Sequence, residues 1–165
     1  MSMKIVFDNF WLAFIVVTVL NAYIFKYRSR KYVAENPELE SGYKKIFKAV
    51  LIYGNVPWII MGIGNLTELT NSMLDFFRPR TLNPTVLVFH ISIICLWILM
   101  ARWVFFQNGA EFLAKHPGLI AFRGFGYSGD ITSPATIKLF FILTLLGGAA
   151  GLTMMWVMDI PVIHH

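Results

Sequence analysis

Charged residues are scarce in this chain, and cysteine is nearly absent. Only 14% of the 165 residues are charged, against about 25% in soluble domains. The single cysteine, Cys95, excludes a disulfide framework within the chain. Because hydrophobic residues make up 57% of the sequence, a water-soluble domain of this size could not cover its apolar surface. A lipid bilayer is the solvent that fits this composition.

Two common motifs of nucleotide-binding proteins and hydrolases are also missing. The chain contains no P-loop and no GxSxG elbow. The GxGxxG spacing occurs once, at 124–129, within the segment 118–129 that is predicted to be a loop. Only one histidine, His90, lies inside an apolar run, so a haem held between two histidines of facing helices is not expected. No cofactor is expected, and a membrane enzyme or a metal- or cofactor-binding protein is kept only as a second alternative function.

Four apolar runs of about 20 residues divide the chain. At 1.5 Å per residue, such a run spans about 30 Å, which is the thickness of the hydrocarbon core. Backbone amides in lipid must be paired within their own segment, so each run is predicted to be an α-helix. The prediction is an all-α fold, a single transmembrane domain 1–165 built as a bundle of four helices, at residues 5–25, 46–66, 85–106 and 137–158.

Basic residues are concentrated beside the first run, and the net charge of the chain is +5. This clustering indicates membrane topology rather than nucleic-acid binding, with a patch for lipid headgroups or a partner as the alternative. The side of a membrane that holds most Lys and Arg is usually cytoplasmic. The segments 26–45 and 107–136 are therefore predicted to be cytoplasmic, and both termini are predicted outside. The clustered residues are Lys26, Arg28, Arg30, Lys31, Lys44, Lys45 and Lys48.

The second run carries helix-breaking and polar residues near the middle of the bilayer. Pro57 removes the helical hydrogen bond to the carbonyl of Tyr53, so a kink is predicted there. A free carbonyl at that depth needs a partner. Asn55, beside the kink, is interpreted either as part of a gate or binding point with Tyr53 and Pro57, or as a packing residue bonded to a neighbouring helix.

The third and fourth runs contain further candidates. His90, near the outer end, is either a functional site or a hydrogen-bonded histidine at a helix end. Arg102, near the inner end, is counted with Asn55 as a pore or binding candidate, although it is expected to extend towards the headgroups. Gly147 and Gly151 form a GxxxG pair, which allows close helix contact either within the bundle or in a dimer.

Metal-ligand side chains recur at the outer ends of the runs. Carboxylates and imidazoles can bind a divalent cation, but no close spacing such as HxxxH is present. The candidate metal ligands are Asp8, Glu68, His90 and Asp159, with His164 and His165 at similar depth.

The segment between the third and fourth runs also has local signals. Helix-forming residues at 107–116 suggest that the third helix continues past the bilayer to Pro117, with an i,i+4 pair of Glu111 and Lys115. Residues 118–129 are predicted to be an interfacial loop. Ser133 before Pro134 predicts the start of the fourth helix.

Three stretches, YGNVPWIIMG at 53–62, FFRPR at 76–80 with the following Asn83-Pro84, and FFQNGAEFLAKHPG at 105–118, form a recognisable set. The set resembles a group of small bacterial multi-span membrane proteins with no assigned activity. The resemblance implies a plasma (inner) membrane location and nothing about mechanism. The polar and proline residues inside these stretches that it draws attention to are Asn55, Pro57, Arg78, Arg80, Asn108, Glu111 and His116.

The sequence favours two functional hypotheses of different classes. Four helices are few for a transporter in one chain, but several copies around an axis could form a channel or transport pore, lined near the kinked second helix. Alternatively, the small-residue face of the fourth helix and the basic first loop favour an accessory or assembly protein that binds other membrane proteins. The expected partners are membrane lipids and further copies of the chain or other membrane proteins, with no nucleic acid.

Overall fold

The computed structural model describes residues 9–124 and 127–158. For residues 121–124, 127 and 128 it describes the backbone only. Within these ranges, four helical segments are long and apolar enough to cross a membrane, namely Phe10–Glu35, Pro37–Leu66, Pro84–Phe106 and Pro134–Val157. The predicted all-α fold with four membrane helices is thus confirmed, and the chain has the architecture of a multi-pass membrane protein. The α-helices are α1 (Phe10–Glu35), α2 (Glu40–Tyr53), α3 (Val56–Leu66), α4 (Pro84–Phe106), α5 (Gly109–Ala114) and α6 (Pro134–Val157).

Two of the long helices, α4 and α6, begin where the sequence has a capping residue followed by proline. The side chain of Ser133 accepts a hydrogen bond from the amide of Thr136 at the start of α6. Asn83 accepts one from the amide of Thr85 at the start of α4. In both cases the proline occupies a position whose missing N–H would have no helical partner. The predicted start of the fourth span is confirmed.

The first predicted loop, 26–45, is mostly helical, which corrects the sequence interpretation. Helix α1 continues to Glu35, and α2 begins at Glu40. The residues past the apolar run are good helix formers, so the helix persists beyond the bilayer. It ends at Asn36, because Pro37 disfavours the α conformation of the residue before it. The side chain of Asn36 accepts a hydrogen bond from the amide of Glu38. The two helices form a helical hairpin around the short 3₁₀ turn Pro37–Leu39.

The four spans form an open bundle, with α1 and α6 at its two edges. Helix α1 packs on α2 and α3, α3 packs on α4, and α6 packs on α4 and α5. Across the described ranges, α1 and α6 share no extensive contact. Most large side chains of α1 and α6 are therefore left facing outward, as expected for helices in lipid.

The bundle has two chemically different ends. At one, here called the basic end, the helical hairpin of α1 and α2 meets the segment that follows α4, for example through the hydrogen bond from Tyr43 to the carbonyl of Pro117. At the other, here called the terminal end, the described chain begins at Asn9 and finishes at Met158. Both segments predicted to be cytoplasmic thus lie at the same end, although which side of the membrane this end faces stays a prediction.

The segment between α4 and α6 differs from the sequence interpretation. Helix α4 ends at Phe106, because Asn108 adopts a left-handed conformation with φ 55°, which asparagine tolerates better than most residues. The short helix α5 follows in place of one continuous helix to Pro117. The predicted loop 118–129 contains an antiparallel pair of strands, β1 (Ala121–Gly124) and β2 (Tyr127–Asp130).

Among the residues whose burial is described, the core consists of two clusters, one near each end. Near the terminal end, the segment after α3 folds back as a 3₁₀ helix, Met73–Phe77, and buries Phe76 completely among residues of α3 and α4. A capping box between Ser72 and Asp75 holds this turn. Near the basic end, a second cluster joins Val104, Ala110, Ile131 and Ile137.

The predicted pair of Glu111 and Lys115 is replaced by a pair between two helices. Glu111 of α5 lies 3.0 Å from the ammonium of Lys138 on α6. This hydrogen bond lowers the pKa of Glu111 below its ordinary value. Glu111 is still about 40% exposed, so the pair contributes only modest stability.

Comparing the wild type with a Glu111→Gln variant should reveal how the stability of this ion pair depends on pH. A carboxyl group whose pKa is lowered by folding contributes stability above its ordinary pKa, and this contribution is lost as the pH falls through the lowered value. The thermal midpoint of the wild type should therefore exceed that of the variant near pH 7. The difference should disappear well below pH 4.3, roughly the ordinary pKa of glutamate. A difference that stays constant with pH would contradict the ionic origin of the contact.

Candidate functional site

Asn55 lies at the break between α2 and α3 and is 6% exposed. Its side-chain Nδ2 donates to the carbonyl of Leu51 over 2.7 Å, while its backbone amide donates to Ile52 instead. The side chain thus takes over the carbonyl that a regular helix would pair with the amide of Asn55. The hydrogen bond runs within the span rather than to a neighbouring helix. The Oδ1 atom is buried with no hydrogen-bond partner in the described part of the chain.

The predicted interruption by Pro57 is present as a break in the second span. Helix α2 ends at Tyr53, and α3 starts at Val56 with Pro57 in its first turn. The helical ladder resumes with the bond from the amide of Ile59 to the carbonyl of Asn55, at 2.9 Å. The side chain of Tyr53 is exposed, whereas Asn55 and Pro57 are buried, so these three residues do not form one polar surface.

His90 is enclosed near the terminal end and is 2% exposed. Its Nε2 donates to the carbonyl of Phe76 over 2.9 Å, because a carbonyl oxygen can only accept. Its ring packs edge-on against Trp156 of α6, with 6.0 Å between the centroids. His90 therefore ties the returning segment Met73–Phe77 to α4, which favours the hydrogen-bonded interpretation over a ligand-binding one. Its Nδ1 is buried without a partner among the residues described.

The remaining polar candidates do not converge. Arg102 is exposed near the basic end of α4, as expected for a side chain that reaches the headgroups. Glu68 is exposed in a left-handed turn with φ 57°, and Asp8 and Asp159 lie outside the described residues. Within the ranges 9–124 and 127–158, no three His, Cys, Asp or Glu side chains come close enough to hold a metal ion. The proposed metal ligands thus stay a prediction without a described cluster.

The glycines of α6 face two different directions. A Cβ atom at Gly148 would lie 2.5 Å from the indole of Trp97, so this glycine allows α6 to approach α4. A Cβ atom at Gly147 or at Gly151 would meet nothing within 4 Å. Contact within the chain therefore accounts for Gly148, and the GxxxG pair is left on an open face of α6. Hereafter, the open glycine face means Gly147, Gly151 and the exposed Thr144 one turn before them.

A second polar cluster, at the basic end, was not predicted. His116 is 6% exposed, its Nδ1 lies 2.6 Å from the carbonyl of Phe112, and its ring lies edge-on to Tyr43 of α2. A Cβ atom at Gly42 would be only 1.9 Å from its Nε2. The hydroxyl of Tyr32 donates to the carboxylate of Asp130 at the end of β2. The cluster holds the segment after α4 against the helical hairpin.

Sequence signals for this cluster were partial. His116 belongs to one of the stretches that carry the resemblance to bacterial membrane proteins, and Pro117 marks a helix end. Gly42, Tyr43 and Tyr32 give no local signal, since their role depends on contacts about 75 to 100 residues away in the chain, such as that between Tyr32 and Asp130. Only the folded arrangement brings them together.

No protein-family model, no curated protein and no solved structure matches this chain. The resemblance to small bacterial membrane proteins therefore stays a prediction, and any function rests on the geometry of the chain itself.

Proposed function

We propose that the protein functions as a self-associating membrane protein, in which α6 of one copy packs against α6 of a second copy. The observation that carries this proposal is the division of the α6 glycines. Gly148 fits against Trp97 of its own chain, whereas Gly147 and Gly151 have open space in front of them. Glycines at this spacing let two helix backbones approach closely in a membrane, where packing rather than the hydrophobic effect drives association.

A second copy of this chain is the occupant that the face fits best. A two-fold axis brings identical patches together, and a pair of small residues one turn apart is complementary to itself. Helix α6 carries one charged residue, Lys138, which lies at its basic end and pairs with Glu111. The open glycine face is therefore uncharged along its length, so two copies meet without an unpaired charge in lipid.

Such an assembly suits an accessory or scaffolding role in the membrane. Helices α1 and α6 lie at opposite edges of the open bundle. When α6 packs against a second copy, α1 can still contact lipid or a further membrane protein. A helix of a different membrane protein is the competing occupant of the open glycine face, and cross-linking distinguishes the two.

Cysteine cross-linking in native membranes tests the proposal. The only cysteine, Cys95, is first replaced by serine. Thr144→Cys then places a thiol on the open glycine face, and Ala149→Cys places one on the opposite side of α6, at an equally exposed position. Oxidation should give a product of twice the chain mass for Thr144→Cys and little for Ala149→Cys. A product of any other mass, or equal cross-linking at both positions, would contradict self-association through this face.

A homo-oligomeric channel or transport protein is a second candidate, favoured by the break at Gly54–Asn55. The buried, unpaired Oδ1 of Asn55 lies near the middle of the second span, where a polar atom is costly unless water or an ion reaches it. Conductance across bilayers containing the purified protein, with Asn55→Leu reducing it, would support this candidate. Absence of conductance in a preparation that self-associates would leave the accessory role.

A further inference from the structure

The helical hairpin of α1 and α2 carries its charges in two zones along its length. Basic residues lie next to the membrane spans, with Lys26 and Arg30 one turn apart on α1, and Lys44 and Lys48 one turn apart on α2. The carboxylates of Glu35, Glu38 and Glu40 lie at the tip, around the turn Pro37–Leu39. At 1.5 Å per residue, Glu35 is about 13 Å further along α1 than Lys26. The cations are thus held at the depth where the apolar part of each helix ends.

Contacts between the two helices bring these cations onto one side of the hairpin. The ammonium of Lys26 lies 5.2 Å from the ring centroid of Phe47 on α2. Tyr23, one turn earlier on α1, contacts the same ring edge-on at 5.4 Å. Lys44 lies one turn before Phe47 on α2, and Lys48 lies one turn after Lys44, so we place the two basic pairs on the same side of the hairpin. The guanidinium of Arg30 lies 5.7 Å from the ring of Tyr27, so this cation also rests on an aromatic side chain.

All four basic side chains of this surface, together with Tyr23 and Tyr27, are exposed. Along this part of the hairpin, exposed tyrosines alternate with cations, which is the composition of the headgroup layer of a bilayer. One ion pair, between Lys44 and Glu40 at 2.9 Å, partly neutralises the surface on the side towards the tip. We name Tyr23, Lys26, Arg30, Lys44 and Lys48 the basic hairpin face.

We propose that the basic hairpin face binds the phosphate groups of anionic phospholipids of the bilayer that surrounds the protein. Lys and Arg at this depth attract anionic lipids, and Arg can bind a phosphate through two parallel hydrogen bonds. The zoned charges favour lipid over an acidic protein, because a protein that approaches from the aqueous side meets the three glutamates first. The proposal is independent of self-association, which needs only α6.

Lipid titration of the purified full-length protein in detergent tests the proposal. The probes are phosphatidylglycerol and phosphatidylcholine with identical acyl chains, and native mass spectrometry counts the bound lipids. Phosphatidylglycerol should bind more tightly, and added salt should weaken it. A juxtamembrane Lys or Arg contributes roughly fivefold to such binding, so Lys26→Gln with Arg30→Gln should weaken phosphatidylglycerol about 30-fold and leave phosphatidylcholine unchanged.

A matched control removes the same charge elsewhere. Arg28→Gln with Lys115→Gln deletes two exposed cations, one on the opposite side of α1 and one after α5, and should change binding less than threefold. Thermal unfolding of both variants, expected to match the wild type, shows that they are folded. Equal binding of the two lipids, or an equal loss in the control, would overturn a specific lipid face. Binding of a soluble polyglutamate peptide in place of phosphatidylglycerol, lost in the Lys26/Arg30 variant, would overturn it in favour of an acidic protein partner.

Discussion

Replacing Gly42 with alanine should loosen the packing of the segment after α4 against the helical hairpin. The added methyl group would lie 1.9 Å from Nε2 of His116, 2.6 Å from Cε1 and 2.8 Å from Cδ2, so the imidazole has to move. Its bond to the carbonyl of Phe112 and its contact with Tyr43 would be strained or lost. Overpacking of this kind costs about 1–3 kcal/mol. The free energy of unfolding, measured by denaturant titration in lipid–detergent bicelles, should fall by that amount.

The origin of this effect can be isolated with a double-mutant cycle. His116→Ala removes the ring that the new methyl group meets, so Gly42→Ala in that background should cost less than about 0.5 kcal/mol. Ser41→Ala, at an exposed neighbour of Gly42, is the control and should be nearly neutral. A Gly42→Ala variant as stable as the wild type would contradict the close contact between Gly42 and His116. An undiminished cost in the His116→Ala background would locate the clash elsewhere.

Placing leucine at both Gly147 and Gly151 should separate the copies without unfolding them. In a single copy each side chain extends into open space, and leucine is a better helix former than glycine, so the stability of the copy should hold or rise slightly. Across a close helix contact the same side chains keep the backbones apart. Association should weaken by at least about 2 kcal/mol, roughly 30-fold.

The weaker association can be measured as fluorescence energy transfer between labelled copies in liposomes, at increasing dilution of the protein in lipid. Ala149→Leu places a leucine side chain on the opposite side of α6 and should leave the transfer at the wild-type level. Gly148→Leu is the reciprocal case, because its side chain would meet Trp97 and should lower the stability of the single copy. Unchanged energy transfer in the Gly147/Gly151 double variant would exclude the open glycine face as the contact.

Several elements of the fold could be predicted from the sequence because their causes are local. Four apolar runs of bilayer length predicted four spans, and the capping residue Ser133 before Pro134 predicted the start of α6. Pro57 predicted the interruption of the second span, since a proline removes one helical hydrogen bond wherever it is placed. These features depend on composition over about 20 residues or on the chemistry of one turn.

Other elements depend on contacts that local patterns do not encode. The burial of Phe76 under α3 and α4 requires the whole segment to fold back, and its sequence resembles an ordinary loop. Glu111 has a possible partner one turn away in Lys115, yet it pairs with Lys138, because α5 and α6 lie side by side. The continuation of α1 to Glu35 was not predicted, because the boundary was set by the end of the apolar run at the bilayer surface. Helix-forming residues continue beyond that point.

The candidate site was predictable only in part. The GxxxG spacing of Gly147 and Gly151 indicated a close helix contact, but could not say whether the partner lies within the chain. That depends on the rotation of α6 about its axis, which the contact between Gly148 and Trp97 sets. Asn55 and His90 can be recognised from the sequence as polar residues in apolar runs, whereas their hydrogen bonds to Leu51 and Phe76 could be seen only in the folded chain.

Native mass spectrometry of the protein released from lipid nanodiscs tests self-association most directly. We expect the wild type to be released as two or more copies, and the Gly147→Leu, Gly151→Leu variant as one folded copy. A wild type released as a single copy would contradict the central claim, and so would a double variant that keeps the copy number of the wild type.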